Sequence, residues 1–397
     1  MKILVTGASG FIGNFLLTAL RDAGHEVRAA SRSRVEQQGI DYVLAPELGP
    51  DADWSLALLG VDAVIHLAGR AHVPSNNADA ETEAVYFRIN TEGTRVFAEQ
   101  AVATGVKHFL FLSSCHAVAA ESEVQITEKT QPNPLTAYGR SKLEAECAIR
   151  KDLSNTACAW TILRPPMVYG KGNKANFGLL LKLVKSGIPL PLASVRNRRS
   201  FIYVENLLDV IIACLGNPKA FGKTYLPSDG EDVSTPELIR KIAKANQSFQ
   251  FLAPRRLGVV GGELTTTERR GRREVEQPKV DLAGARLAGA SESKDTENTE
   301  VLNDVFKNHQ TFCLGATNRE SSHIPPATSN SLLVAPRVAR LFPFPQSILK
   351  ALGRLPGLGA LHKLTSSLYV DSEPLRKDLS WSPRFTMEER LVKTLGG

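Results

Sequence analysis

The opening stretch, MKILVTGASGFIG, constrains the fold more than any other part of the chain. A short apolar run of strand character leads straight into Gly7, Gly10 and Gly13, spaced G-x-x-G-x-x-G. Beyond them Phe11, Phe15, Leu16, Ala19 and Leu20 form one helical stripe that ends before Gly24. Strand, glycine turn and helix in this order make a variant of the dinucleotide fingerprint. The glycines let the backbone turn tightly and approach a pyrophosphate, which then sits on the helix N-terminus. Such a turn needs a parallel sheet around it, and the sequence offers one: apolar runs at 2–6, 26–30, 40–45, 63–67, 108–112 and 160–163 read as strands, with helix-period segments between most of them. The expected fold is therefore α/β, a Rossmann-like doubly wound parallel sheet over residues 1–165.

After residue 165 the pattern changes to scattered helices in FGLLLKLVKSG, ENLLDVIIACLG and STPELIRKIAKA. We expect a smaller C-terminal substrate lobe from 166–246 together with 336–397, part of it returning to the first domain near 200–215. Ser234 with Glu237 and Thr386 with Glu389 have the spacing of capping boxes. Residues 247–335 are polar, poor in aromatics and without a sustained period, so they read as a long disordered insertion. Its basic cluster RRGRR at 269–273 reads as a solvated stretch, with docking of an acidic partner as the alternative.

Five scattered cysteines, Cys115, Cys147, Cys158, Cys214 and Cys313, include no C-x-x-C pair. That speaks against a disulfide framework and against a zinc site, and His66, His72 and His116 do not form a spaced ligand set. No metal is expected. The net charge of +7 suits phosphate-bearing ligands, but no nucleic-acid motif accompanies it, so no nucleic-acid partner is expected. No run of about 18 apolar residues exists, hence no membrane insertion. Because the first strand begins at the N-terminus without a cleavage site, a cytoplasmic location is expected.

The end of the second strand bears on which dinucleotide is held. It reads Ser31, Arg32, Ser33, Arg34, with no acid before Glu36. A carboxylate there would serve the ribose hydroxyls of NAD, whereas arginine accommodates a 2′-phosphate. NADP is expected, with NAD as the alternative. The cofactor-binding candidates are Gly7, Gly10, Phe11, Ile12, Gly13, Arg32 and Ala68.

Further along, AYGRSK places Tyr138 four residues before Lys142, on one face of a helix and one turn apart. Alone this pair is a weak motif. With TGASGFIG, DAVIHLAG, NTEGT, LSSCHAV, RPPMVYGKGN and RRSFIYVENL in order, the chain resembles the extended short-chain dehydrogenase/reductases of the NAD-dependent epimerase/dehydratase family. The resemblance covers 1–246 and resumes over about 336–397. It implies that Tyr138 is the acid/base, that Lys142 is its partner and a holder of the nicotinamide ribose, and that Ser114 supplies the hydroxyl beside the substrate oxygen. Alignment on SSC also admits Cys115 at that place; Ser114 is preferred because a hydroxyl is the better donor. A nearby ammonium together with the nicotinamide site is expected to stabilise the phenolate and lower the phenol from its ordinary value of about 10.

By the same resemblance Asn90 supports the site from a helix, Arg199 binds a pyrophosphate, and Asn176 is a second substrate contact. The implied substrate is a UDP-sugar. One reading is reduction of carbon 4 of a UDP-4-keto sugar for polysaccharide precursors. A UDP-glucose 4-epimerase-like reaction is the alternative. A non-catalytic NADP-sensing regulator is a third reading, which the presence of both Tyr138 and Lys142 disfavours. Lys142 and Tyr138 count also among the cofactor contacts, and a homodimer is expected.

Overall fold

The computed structural model describes residues 1–33, 37–71, 80–173, 176–252, 341–352 and 359–396. Met1–Ala253 and Ala335–Gly397 form one compact unit. The second unit, Pro254–Val334, and with it nearly all of the expected insertion, lies outside the described residues.

The chain begins with strand β1 (Lys2–Thr6), helix α1 (Phe11–Asp22), β2 (Glu26–Ser31), β3 (Asp41–Leu44), a short α2 (Ser55–Leu58) and β4 (Ala63–His66). Helix α3 (Ala80–Tyr86) runs through a π-helical stretch, Phe87–Glu92, into α4 (Gly93–Ala103). Then come β5 (His108–Leu112), α5 (Ala137–Leu153), β6 (Ala159–Leu163) and β7 (Met167–Tyr169). The remainder is α6 (Asn176–Lys185), β8 (Phe201–Tyr203), α7 (Val204–Cys214), β9 (Lys223–Tyr225), α8 (Thr235–Leu252), α9 (Gln346–Leu352), α10 (Gly359–Thr365), α11 (Glu373–Leu379) and α12 (Met387–Leu395).

Seven strands form one parallel sheet in the order β3-β2-β1-β4-β5-β6-β9. This is the doubly wound α/β fold expected from the alternating pattern, and its direction of winding reverses between β1 and β4, where such sheets bind ligands. Register makes that edge coherent. Thr6 lies opposite Ala30 and His66, His66 opposite Phe111, and Leu112 opposite Leu163, so the strand ends are level.

The period of two divides the core between the sheet faces. Ile3 and Val5 of β1 pack with Leu16, Leu17 and Leu20 of α1 and Val210 and Ile211 of α7, while Leu4 between them packs with Phe97 of α4 and Ile149 of α5. Each fully buried side chain of this size contributes about 1.5–3 kcal/mol. Within the expected α1 stripe, Leu16 and Leu20 are buried and Phe15 and Ala19 are partly buried against the core, whereas Leu17 joins it although the stripe omitted it.

α7, within the 200–215 segment, packs on α1, and β9, which lies beyond that segment, joins the sheet beside β6. β7 and β8 form a separate parallel pair. α8 continues to Leu252, beyond the expected boundary at 246. Its start is held as foreseen, with Ser234 N–H donating to Glu237 Oε2 at 2.7 Å. The Thr386–Glu389 capping box is also formed. α12 is fastened by Arg390, whose Nη1 lies 2.5 Å from Asp229 Oδ2, and Asp229 also accepts from Tyr169 and Asn206. Among the described residues Cys115, Cys147, Cys158 and Cys214 are free thiols, and no helix is long and apolar enough to cross a membrane.

Candidate active site

The glycine turn forms one end of a cleft of about 460 Å3 at the carboxyl edge of the sheet. Gly7 has φ of +67°, and a Cβ there would come 2.8 Å from the Ala68 nitrogen. A Cβ on Gly13 would stand 2.5 Å from the carbonyl oxygens of Gly7 and Ala8. Both positions exclude any side chain. Gly10 caps α1 without a side-chain bond, so the N–H groups of the first helical turn, at Phe11, Ile12 and Gly13, have no acceptor inside the helix. They sit at its positive end, where an anionic group is favoured. This cradle fits a dinucleotide pyrophosphate.

Gly7, Gly10, Arg32 and Ala68 all line that cleft. Ser31 ends β2 and donates to Ser9 Oγ at 2.8 Å, tying the strand end to the glycine turn, while Arg32 is exposed beside it. Two candidates point elsewhere. The Ile12 side chain packs against the core, and Phe11 lines the neighbouring cavity, so only their backbone N–H groups face the cradle. Arg34 and Glu36 lie outside the described residues.

The candidate reaction centre gathers around α5. Thr136 caps that helix, its Oγ1 accepting from Gly139 N–H at 3.1 Å, and the helix presents Tyr138 and Lys142 one turn apart. Lys142 is buried. Its Nζ donates to the Leu112 carbonyl at 3.0 Å and lies 4.5 Å from the centre of the Phe111 ring. A Cβ on Gly69 would meet both Lys142 Nζ at 3.3 Å and Asn90 Oδ1 at 3.0 Å, so these three residues converge. Asn90 is locked by Arg70 N–H at 2.7 Å and by donation to Ser141 Oγ at 3.0 Å. It sits in the π-helical stretch, a distortion that often marks functional sites.

Ser114 begins the turn after β5, accepts from His116 N–H at 3.2 Å, and lines the same cavity as the Tyr138 phenol, whose charged form it favours. Cys115, its rival, is buried, its thiol pushed up to about 12 by desolvation. Burial likewise pushes the Tyr138 phenol up to about 12, against Ser114, which favours the charged form. This corrects the expectation of a lowered phenol: desolvation of the phenolate outweighs the neighbouring groups. Lys142 moves the other way, down to about 8 by desolvation, with Glu146 opposing. Below that value it is an ammonium.

His66 is wholly buried, its nitrogens 2.7 Å from Thr6 Oγ1 and 3.0 Å from Thr94 Oγ1. Desolvation, with the Lys142 charge second, brings it to about 3, so it stays neutral. Among the described residues no group of His, Cys, Asp or Glu is placed to hold a metal ion.

Ser114 and Tyr138 open onto a cavity of about 690 Å3, whose far wall carries Arg199, Ser366 and Lys363. Arg199 is buried, and its Nη1 donates to the carbonyls of Lys363 at 2.9 Å and Ser366 at 3.1 Å. Desolvation lowers its pKa. Asn176 starts α6, but its side chain lies outside the described residues, as does His72; the cavity wall beside it is formed by Asn173 and Phe177.

Residues 3–226 match the model of the NAD dependent epimerase/dehydratase family. The chain belongs to this family. A UDP-glucose 4-epimerase of Vibrio cholerae is 34% identical over 331 residues, which span 80% of this chain and 97% of that relative. The UDP-glucuronic acid 4-epimerase of Bacillus cereus, solved with UDP-glucuronic acid and NAD, is 25% identical and aligns with a TM-score of 0.55, covering 62% of this chain and 83% of that one. The UDP-glucose 4-epimerase of Thermotoga maritima, solved with UDP-glucose, matches at a TM-score of 0.62 over 100% of this chain and 97% of that one; at 16% identity the likeness is one of fold.

As a member of the NAD-dependent epimerase/dehydratase family the protein is an NAD(P)-dependent enzyme. In this family member two features escaped the sequence reading. Glu146 could have been found, since it continues the spacing of Tyr138 and Lys142 down the same helix face. Lys363 could not: it lies outside the matched residues and in no motif, and only packing brings it to the cavity.

Proposed function

We propose that this enzyme carries out oxidoreduction at carbon 4 of a UDP-sugar, in the direction that reduces a 4-keto sugar with NADPH. The observation that carries this reading is that Tyr138 and Ser114 line one cavity together, with the buried Lys142 one helical turn beyond Tyr138; burial pushes the Tyr138 phenol up, so it is a proton donor in the neutral range. A reductase needs a loaded proton donor. Tyr138 gives its proton to the carbonyl oxygen as that oxygen gains charge, Ser114 donates a second hydrogen bond to it, and Lys142 holds the nicotinamide ribose and offsets the phenolate left behind. The nicotinamide, when bound, supplies hydride to the carbon. Arg199 binds the substrate diphosphate, for which a guanidinium fork is suited.

Arg32 at the cofactor cleft supports NADP, since β2 ends without a carboxylate. The second reading, a 4-epimerase that retains NAD, is favoured by the Vibrio cholerae relative and by the NAD held in the Bacillus cereus structure. We also infer a substrate lobe drawn from 166–246 and 336–397, apart from α7 and β9, which pack with the sheet, and a homodimer, which sedimentation would test. The deciding experiment is mass spectrometry of products from UDP-4-keto-6-deoxy-N-acetylglucosamine with NADPH, run beside UDP-glucose and UDP-galactose with NAD. Reduction of the keto sugar with no exchange of glucose and galactose is expected; exchange without reduction overturns it in favour of the epimerase.

A further inference from the structure

Acids are missing from two long stretches of this chain. Between Asp152 and Glu205, and again between Glu320 and Asp371, there is no Asp or Glu, where about five would fall in each by composition alone. The fold sets these stretches side by side. Phe342 N–H donates to the Leu190 carbonyl at 3.0 Å, Ala193 N–H to the Phe342 carbonyl at 3.1 Å, and Arg196 N–H to Gln346 Oε1 at 3.2 Å. Some of their cations are spent inside the protein: Arg164 on Glu146, Arg199 on backbone carbonyls, Arg198 on Asp232. The acids that reach α9 and α10 from the loop after β5, Glu123 and Glu121, are paired with Lys350 and His362. Lys182, Lys185, Arg196 and Lys363 stay exposed, and among the described residues none of them has a carboxylate within ion-pair distance.

Apolar side chains stand exposed at the same junction. Phe342, Pro343 and Pro345 precede α9, and that helix buries Leu349 but turns Ile348, 47% exposed, and Ala351 outward. Adjacent apolar groups shown to water mark a contact surface. What covers this one has to take both features. A phosphate backbone would meet the cations but leave Phe342 and Ile348 in water. An anionic bilayer surface takes both: apolar side chains enter the boundary between headgroups and acyl chains, and the cations stay among the headgroups. Among the described residues no helix is long and apolar enough to cross a membrane, so this contact lies on the surface.

We propose that α9, the segment before it and the neighbouring Lys182–Arg196 region form a docking surface for anionic lipid membranes. It holds the lobe that carries Arg199 and the far wall of the cavity against the bilayer. The proposal does not depend on the UDP-sugar reading. Its test is flotation of the full chain with vesicles of equal parts phosphatidylcholine and phosphatidylglycerol, beside vesicles of phosphatidylcholine alone and a single-stranded oligonucleotide. Binding to the anionic vesicles, weak on the neutral ones and reversed by high salt, is expected. Lys185→Gln with Arg196→Gln should weaken it by about fivefold per charge removed. Ile348→Asp should weaken it by about tenfold or more. These residues line neither the cofactor cleft nor the substrate cavity, so NADPH binding and the thermal midpoint should hold in the variants and exclude misfolding as the cause. No binding to the anionic vesicles, equal binding to both kinds, or binding that Ile348→Asp leaves within about twofold of the natural protein overturns the proposal. Tighter binding of the oligonucleotide than of the anionic vesicles overturns it in favour of a nucleic-acid partner.

Discussion

Glu146 lies one helical turn beyond Lys142 on the buried face of α5, and both its carboxylate oxygens are fully engaged. Ser113 Oγ donates to Oε1 at 2.5 Å, Arg164 spans both oxygens at 2.9 and 2.6 Å, and Arg150 donates to Oε2 at 2.8 Å. Its charge opposes the desolvation that lowers Lys142, and its bond to Ser113 steadies the residue next to Ser114. Glu146→Gln should therefore do two things. It strands the buried Arg164 without a counter-ion, at a cost of about 3 kcal/mol, while the part-exposed Arg150 adds little. It also moves Lys142 below about 8. Denaturant midpoints and a pH–rate profile check both; an unchanged midpoint with an unchanged alkaline limb would show that the carboxylate matters to neither.

Turnover should fall as pH rises through about 8, where Lys142 loses its charge, while Tyr138, at about 12, stays protonated. Lys142 itself does not favour unfolding over that range. Lys142 is lowered from 10.5, so between about 8 and 10.5 the unfolded chain binds more protons than the folded one, and the contribution of this residue to stability rises with pH. Rate and thermal midpoint measured side by side across this window test the sign; a rate that holds level above the Lys142 value would remove its charge from the mechanism.

Tyr138→Phe keeps the ring but removes the proton. Cofactor affinity should hold and turnover drop by about 100-fold or more. Single-turnover rates within a few-fold of the natural enzyme would take Tyr138 out of the reaction.

Arg32→Asp should move preference from NADP toward NAD, because a carboxylate repels the 2′-phosphate and accepts from free ribose hydroxyls. Fluorescence titration with both cofactors reads the ratio directly. If it does not move, another group discriminates.

Replacing about 255–330 by a short Gly/Ser linker should leave folding and turnover nearly intact. Every described residue lining the cofactor cleft and the substrate cavity lies outside that range. A long loop adds closure entropy only logarithmically, so its removal changes little if the ends meet. The thermal midpoint and turnover of the deletion decide it, and a folded but inactive product would make the segment part of the substrate site.

What could be read from the sequence was local. The β1 strand, its glycine turn and α1 are contiguous, and the constraints on Gly7 and Gly13 are steric consequences of that one turn. The spacing of Tyr138 and Lys142 follows from helix period, and the two capping boxes from the reach of a side chain over three residues. The placing of Ile3 and Val5 on one sheet face and Leu4 on the other follows from the period of two.

Only the tertiary structure decided the rest, because burial and charge pairing belong to segments brought together from afar. β9 reaches the sheet across the smaller lobe to pair with β6, which no local pattern of three residues could announce. The Tyr138 phenol rises to about 12 because surrounding protein excludes water from it, a property of the packed site and not of the helix that carries it. Arg199 reaches the Lys363 carbonyl across 163 intervening residues, and a lysine in an unmarked stretch comes to line the cavity only because the fold brings its helix there.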